Sequence, residues 1–258
     1  MRGTMSVMTS AEAHGHRADL RHARSFGSHA AEYERGRPSY PAESVAWLIP
    51  EGATAVADVG AGTGKLTASL LAPGRTVVAV DPDAQMLTAL RNGLPGVETR
   101  EGTGEQLPLA DASVDAVTFG QSWHWVDPAR GSVEAARVLR PGGVLGLIWN
   151  VRDERVAWVA ELSAVMHLSA AEALVDGDGP RVTAPFGPFE TSVASWERRM
   201  SVDDVVAMAG SRSYLITAEP DERSRVLAEV HRLASSVVED DGLVRLPYVT
   251  HAYRATAG

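Results

Sequence analysis

Cysteine is absent from the 258 residues. That removes disulfides, thiolate metal sites and a cysteine nucleophile. Lysine is almost absent too: of the 24 basic residues, 23 are arginine and one is Lys65. A Schiff-base mechanism therefore has a single candidate. No apolar run approaches the ~20 residues of a membrane span. Residues 1–25 are rich in His, Arg and Ala and lack the apolar centre of a signal peptide. These absences predict a cytoplasmic protein with no membrane partner. Positive charge is in deficit, since 24 basic against 33 acidic residues give a net charge of −9. That argues against a nucleic-acid partner, whose phosphates demand neutralisation. The length is ample for a real core and suits one large domain with a small cap.

What is present is an alternation. Ala55–Val59 reads as a strand, followed by a Gly-rich turn and a helix over 66–71. Thr76–Val80 reads as a second strand and 83–91 as a second helix. Val97–Arg100 and Val114–Phe119 follow as strands, then a helix over 132–139 stopped by Pro141-Gly142-Gly143. Val144–Trp149 is a fifth strand, apolar enough to be buried on both faces. Strands and helices alternating at this spacing predict parallel βαβ units and a doubly wound α/β domain. Ligands then sit beyond the carboxyl ends of the strands. After this region, 152–175 reads as helical, 176–188 as loop and 189–196 as strand. Ser201-Val-Asp-Asp204 opens a helix ending near Gly210. Residues 220–238 form a long amphipathic helix carrying Val226, Leu227, Val230, Leu233 and Val237 on one face. Residues 243–253 form a last strand. His14, His16, His22 and His29 lie in or beside a leader expected to be disordered, and no metal site is predicted there.

The turn after the first strand is Asp58-Val-Gly60-Ala-Gly62-Thr-Gly64. Glycines allow the tight turn and a ligand's close approach to the backbone. A P-loop would need Gly at position 59 and Ser or Thr after Lys65, but Val59 and Leu66 stand there. A G-x-G-x-x-G dinucleotide turn fails because the third glycine comes one residue early, at Gly64. The spacing that fits is D-x-G-x-G-x-G. The next acid, Asp81, ends the second strand, where a carboxylate can accept from both hydroxyls of a ribose. Any adenosine cofactor satisfies that geometry.

With these residues the chain resembles the class I S-adenosylmethionine-dependent methyltransferases, in the small-molecule group of the type 11 domain. It looks especially like the branch holding trans-aconitate methyltransferase-like proteins. The segments that carry the resemblance are Asp58–Gly64, Asp81, Gly102–Pro108, Asp111–Val117 and Glu134–Gly143. The resemblance implies a Rossmann-like, mostly parallel seven-stranded sheet with helices on both faces. It also implies S-adenosylmethionine as cofactor and S-adenosylhomocysteine as product. The corresponding division is a leader at 1–25, a cofactor cover at 26–50, a core at 51–151, a helical cap at 152–188 and a C-terminal part at 189–258.

By the same resemblance the cofactor residues are Tyr33, Arg37, Asp58, Gly60, Gly62, Gly64, Asp81, Pro82, Met86, Thr103, Gly104, Glu105 and Gln121. Arg37 is placed to pair with the cofactor carboxylate through its planar fork, with a surface position in a Pro-defined turn as its competing role. Thr103 stands where many relatives have Asp, so adenine is expected to rest on the backbone at Gly104 and Glu105 and on Pro82 and Met86. His124, after the fourth strand, is the candidate general base, with a structural histidine as the competing role. Trp123, Trp125, Trp149 and Arg152 are candidate acceptor contacts. Core packing competes for the tryptophans, and Arg152 suits an anionic acceptor, with a solvated surface charge as its competing role. Ser211–Tyr214 sits where the branch has a Ser-rich segment near the pocket. The expected reaction moves a methyl group to O or N of a small molecule. A hydride-transferring Rossmann enzyme, a non-catalytic cofactor binder and a protein-acceptor enzyme are the rival readings.

Overall fold

The computed structural model describes residues 36–166, 170–216 and 218–257. The leader and Tyr33 lie outside the described residues. A helix, α1 (Ala42–Leu48), precedes an alternating run. The run is β1 (Ala55–Val59), α2 (Lys65–Leu70), β2 (Thr76–Asp81), α3 (Ala84–Gly93), β3 (Glu98–Glu101), β4 (Val114–Gly120), α4 (Pro128–Val138) and β5 (Leu139–Arg152). The C-terminal part adds α5 (Ala157–Met166), α6 (Ala170–Asp176), β6 (Glu190–Met200), α7 (Val202–Gly210), α8 (Ser213–Ile216), α9 (Pro220–Ser235) and β7 (Val244–Thr256).

The seven strands form one sheet in the order β3-β2-β1-β4-β5-β7-β6. The first five pair in parallel, while β7 runs antiparallel between β5 and β6. The order reverses between β1 and β4. A crevice opens there because successive crossovers leave to opposite sides. Asp115, at the base of β4, ties the two strands together by accepting from the Thr54 and Ala55 amides at 2.8 and 2.9 Å.

One face of the sheet packs Val59, Val80, Phe119, Leu145 and Leu147 against α4. The other buries Val56, Val77, Ala116 and Ile148 under α1 and α2. A separate core joins α5, α7 and α9 to β6 and β7 through Leu162, Met166, Val205, Val230 and Tyr248. Several predicted boundaries move, among them the end of β6, at Met200 rather than 196. Helix α4 begins at Pro128 rather than 132, because the Asp127 side chain accepts from the Ala129 and Arg130 amides and proline suits a first turn. Strand β5 begins at Leu139 rather than 144, since Leu139 pairs with Val114 before the register shifts. The helical stretch over 152–175 becomes α5 and α6. Among the described residues no helix is long and apolar enough to cross a membrane.

Candidate active site

The crevice is built at the carboxyl ends of β1, β2 and β4. After β1 the chain turns sharply, with the Gly60 and Ala61 amides both donating to the Val80 carbonyl at 2.8 and 3.1 Å. Gly60 has φ +66°, and a Cβ there would stand 2.5 Å from Ser122 Cβ. Both the left-handed backbone and the close approach require glycine. The Gly62 amide donates to Asp81 Oδ2 at 2.8 Å. The Asp83 amide donates to the other oxygen, Oδ1, at 2.8 Å. Burial pushes the Asp81 carboxyl up to about 6 against the lowering effect of those two amides. A cleft of about 750 Å³ opens over it, lined also by Pro82, Met86, Thr103, Gly104, Glu105 and Trp125.

A second cavity shares Gly60, Gly62 and Gln121 with the first and continues to Arg37, Tyr40, Asp58, Thr63 and Lys65. Asp58 is fully buried. It accepts from Thr67 Oγ1 at 2.6 Å and from Thr118 Oγ1 at 3.4 Å. Burial raises its carboxyl to about 7, against the lowering effect of the threonine hydroxyls. The buried Thr63 hydroxyl has no hydrogen-bond partner among the described residues.

A third cavity shares Arg37, Pro38 and Gln121 with the second, and is walled by Asn150, Arg152, Glu172, Met208, Ser211, Arg212 and Tyr248. Gln121 therefore lines all three cavities. It holds φ +58°, rare for a residue with a side chain. Its Nε2 donates to the Asn150 carbonyl at 2.9 Å. Its Oε1 is buried without a partner among the described residues. Arg152 is buried rather than solvated; it pairs with Glu172 at 2.7 Å and donates to Ser163 Oγ at 2.9 Å. Burial and then the Arg212 charge lower its guanidinium to about 10.

His124 sits in a single 3-10 turn, Trp123–Trp125, directly after β4. Burial, and secondarily the charge of Arg37, pushes its imidazole down to about 4. Its Nδ1 is buried without a partner.

Four expected site residues, His124, Trp123, Trp149 and Gly64, line none of the three cavities. Trp123 packs edge-on against Phe119 at 4.8 Å, and its indole N–H donates to the Arg181 carbonyl. Trp149 is fully buried in the core and packs edge-on against Tyr253 at 5.8 Å. Gly64 faces α3 instead of the crevice; a Cβ there would meet Leu90 and Leu94 side chains at 2.9 Å. The Glu105 side chain is committed to the fold, accepting from the Asp127 amide at 2.9 Å. Glu172, Met208 and Tyr248 were not foreseen as site residues. Arg212 carried a faint signal through the 211–214 segment.

A family model described as a methyltransferase domain matches residues 57–147, from β1 into β5. An uncharacterized methyltransferase of Mycobacterium bovis is 46% identical over 239 residues, covering 90% of this chain and 95% of the relative. The chain belongs to the class I S-adenosylmethionine-dependent methyltransferases. A second methyltransferase relative, from Schizosaccharomyces pombe, is 30% identical and covers 89% of this chain and 94% of its own. A solved structure from Anaeromyxobacter dehalogenans, described as a type II methyltransferase, superposes with a TM-score of 0.62 at 24% identity. It covers 86% of this methyltransferase and 97% of its own chain, which speaks to the fold.

Proposed function

We propose that this methyltransferase moves a methyl group from S-adenosylmethionine to an oxygen or nitrogen of a small anionic molecule, releasing S-adenosylhomocysteine. The observation that carries the reading is the meeting of three cavities at Gln121. The residues fit the donor. Asp81 keeps lone pairs for two ribose hydroxyls after each of its oxygens has taken one amide. Pro82, Met86 and Trp125 give adenine apolar walls, with the Gly104 and Glu105 backbone at its edge. In the second cavity Asp58 and Arg37 offer opposite charges to an ammonium and a carboxylate. The buried Gln121 Oε1, without a partner among the described residues, is a further acceptor in this reading. When bound, the cofactor supplies an electrophilic sulfonium methyl.

The third cavity is the acceptor chamber in this reading. Its walls carry Arg37, Arg152 and Arg212 against one carboxylate, Glu172, so it favours an anion. The protein's main task is alignment at near-attack distance, an effect worth up to ~7–11 kcal/mol. His124 is a poor base for a hydroxyl, because an imidazole held near 4 has little drive to take its proton. A nucleophile that needs no base, such as a carboxylate oxygen, suits both the arginines and this histidine. His124 then orients the acceptor or the 3-10 turn in its neutral form. We expect His124→Ala to slow transfer while cofactor affinity stays within a few-fold. The wild-type rate should show no inflection from this histidine between pH 5.5 and 8. An inflection near 6.5 that disappears in the variant would restore it as the base.

The reading is tested by thermal shift and by product release. S-adenosylmethionine at 100 times Kd should stabilise the protein by ~2.7 kcal/mol, and NAD should not. A panel of small carboxylic acids should then yield S-adenosylhomocysteine and a methyl ester by mass spectrometry. Stabilisation by NAD alone, or donor binding without turnover on any small molecule, would overturn it in favour of a rival.

A further inference from the structure

Among the described residues Glu172 is the one carboxylate in the wall of the acceptor chamber. It comes from α6, outside the segments that hold the cofactor motifs, and is 5% exposed. Its Oε1 pairs with Arg152 Nη2 at 2.7 Å. The Arg212 fork reaches both of its oxygens, at 3.1 and 3.2 Å. Two guanidiniums thus converge on Glu172, and the charge of Glu154 also acts on Arg152. Arg37 lines the neck of the chamber, where the proposed cofactor carboxylate would use it. The Tyr248 phenol donates to Met208 Sδ and the Ser211 hydroxyl to the Met208 carbonyl.

A buried carboxylate in this position has two consequences. It holds two guanidiniums together that would otherwise repel. It also repels any second negative charge brought into the chamber. At about 5 Å and an effective dielectric near 20, that repulsion corresponds to roughly a hundredfold in binding.

We propose that Glu172 is a specificity-determining residue for the charge of the acceptor, disfavouring a doubly anionic molecule relative to a singly anionic one. The proposal rests on the third cavity being the acceptor chamber. It does not follow from the cofactor chemistry, which involves none of α6.

The test uses the full chain saturated with S-adenosylhomocysteine and two probes, acetate and malonate, titrated by calorimetry. Glu172→Gln keeps the shape and removes the charge. Malonate should bind at least tenfold tighter to this variant than to the wild type, with a smaller gain for acetate. Glu172→Asp should keep wild-type selectivity. Arg212→Gln leaves Arg152 and Glu172 neutral as a pair and should lose affinity for both probes. S-adenosylhomocysteine affinity should stay within a few-fold in every variant. Unchanged malonate affinity in Glu172→Gln, with S-adenosylhomocysteine bound, overturns the role of Glu172 and leaves the methyltransferase reading standing. Should that variant fail to fold, undiminished probe binding by Arg212→Gln overturns it equally. Failure of S-adenosylhomocysteine to bind the wild type would instead strike at the proposed function itself.

Discussion

Replacing Asp81 with alanine is expected to abolish measurable S-adenosylmethionine binding. The carboxylate would accept from two ribose hydroxyls, each a hydrogen bond to a charged group worth ~1.5–3 kcal/mol. Together they amount to about 3–6 kcal/mol, a loss of at least a hundredfold. Alanine also strands the Gly62 and Asp83 amides that now donate to the two oxygens, so the glycine turn loses its tie to β2. Asp81→Asn keeps one acceptor oxygen and should fall between wild type and alanine. The pH dependence has a definite sign. Ribose hydroxyls need the ionised acid, and burial holds its proton up to about 6. Donor affinity should therefore weaken as pH falls through that value and level off above it. Calorimetry at pH 5, 6.5 and 8 measures both effects. Wild-type affinity in Asp81→Ala, or affinity that rises on acidification, would remove Asp81 from the cofactor site.

The parts of this molecule that a short segment encodes were legible in its sequence. Strands β1, β2 and β4 are compact apolar runs bounded by turn residues, so their ends were readable to within a residue. Asp58, Gly60, Gly62 and Asp81 lie at those ends, and strand polarity alone brings them to one edge of the sheet. Trp149 shows where this stops. Its place near the end of β5 was readable, but strand side chains alternate between faces. Nothing local said that Trp149 points into the core while Asn150 and Arg152 point towards the chamber. Trp123 fails likewise, because a 3-10 turn sends successive side chains in different directions and buries this one. The acceptor chamber was least legible. Glu172 and Arg212 are 40 residues apart, and Tyr248 arrives on a strand that runs antiparallel. Read singly, each is an ordinary helix or strand residue; only the tertiary fold makes them a charge cluster.

Asp58→Asn should stabilise the empty protein and impair its cofactor binding together. Asp58 is fully buried and accepts from the Thr67 and Thr118 hydroxyls, and among the described residues no cation pairs with it. Burial dominates and lifts its proton affinity from 3.8 to about 7. In the unfolded chain the acid ionises near 3.8. Between about pH 4 and 7 the native state thus holds a proton that the unfolded state has released. Stability must fall as pH rises through that window and stay low above it. At ~1.4 kcal/mol per unit, the ionised acid costs on the order of 4 kcal/mol at pH 8. Asparagine can accept from Thr67 and donate towards Thr118 without that charge. Its melting temperature should exceed the wild type's by ~5 °C or more at pH 8, given ~2–4 °C per kcal/mol at this size. The gap should close towards pH 4. A charge so unfavourable in the empty fold is explicable if a ligand cation compensates it, as perturbed acids at functional sites commonly require. The ammonium of S-adenosylhomocysteine, placed between Asp58 and the Gln121 junction, is that cation in our reading. The variant should bind S-adenosylhomocysteine at least tenfold more weakly at pH 8, and the bound wild type should lose most of its pH-dependent destabilisation. A melting-temperature gain equal at pH 4.5 and 8 would place the effect outside the Asp58 charge. A gain with undiminished ligand affinity would make Asp58 a burden of the fold with no part in the site.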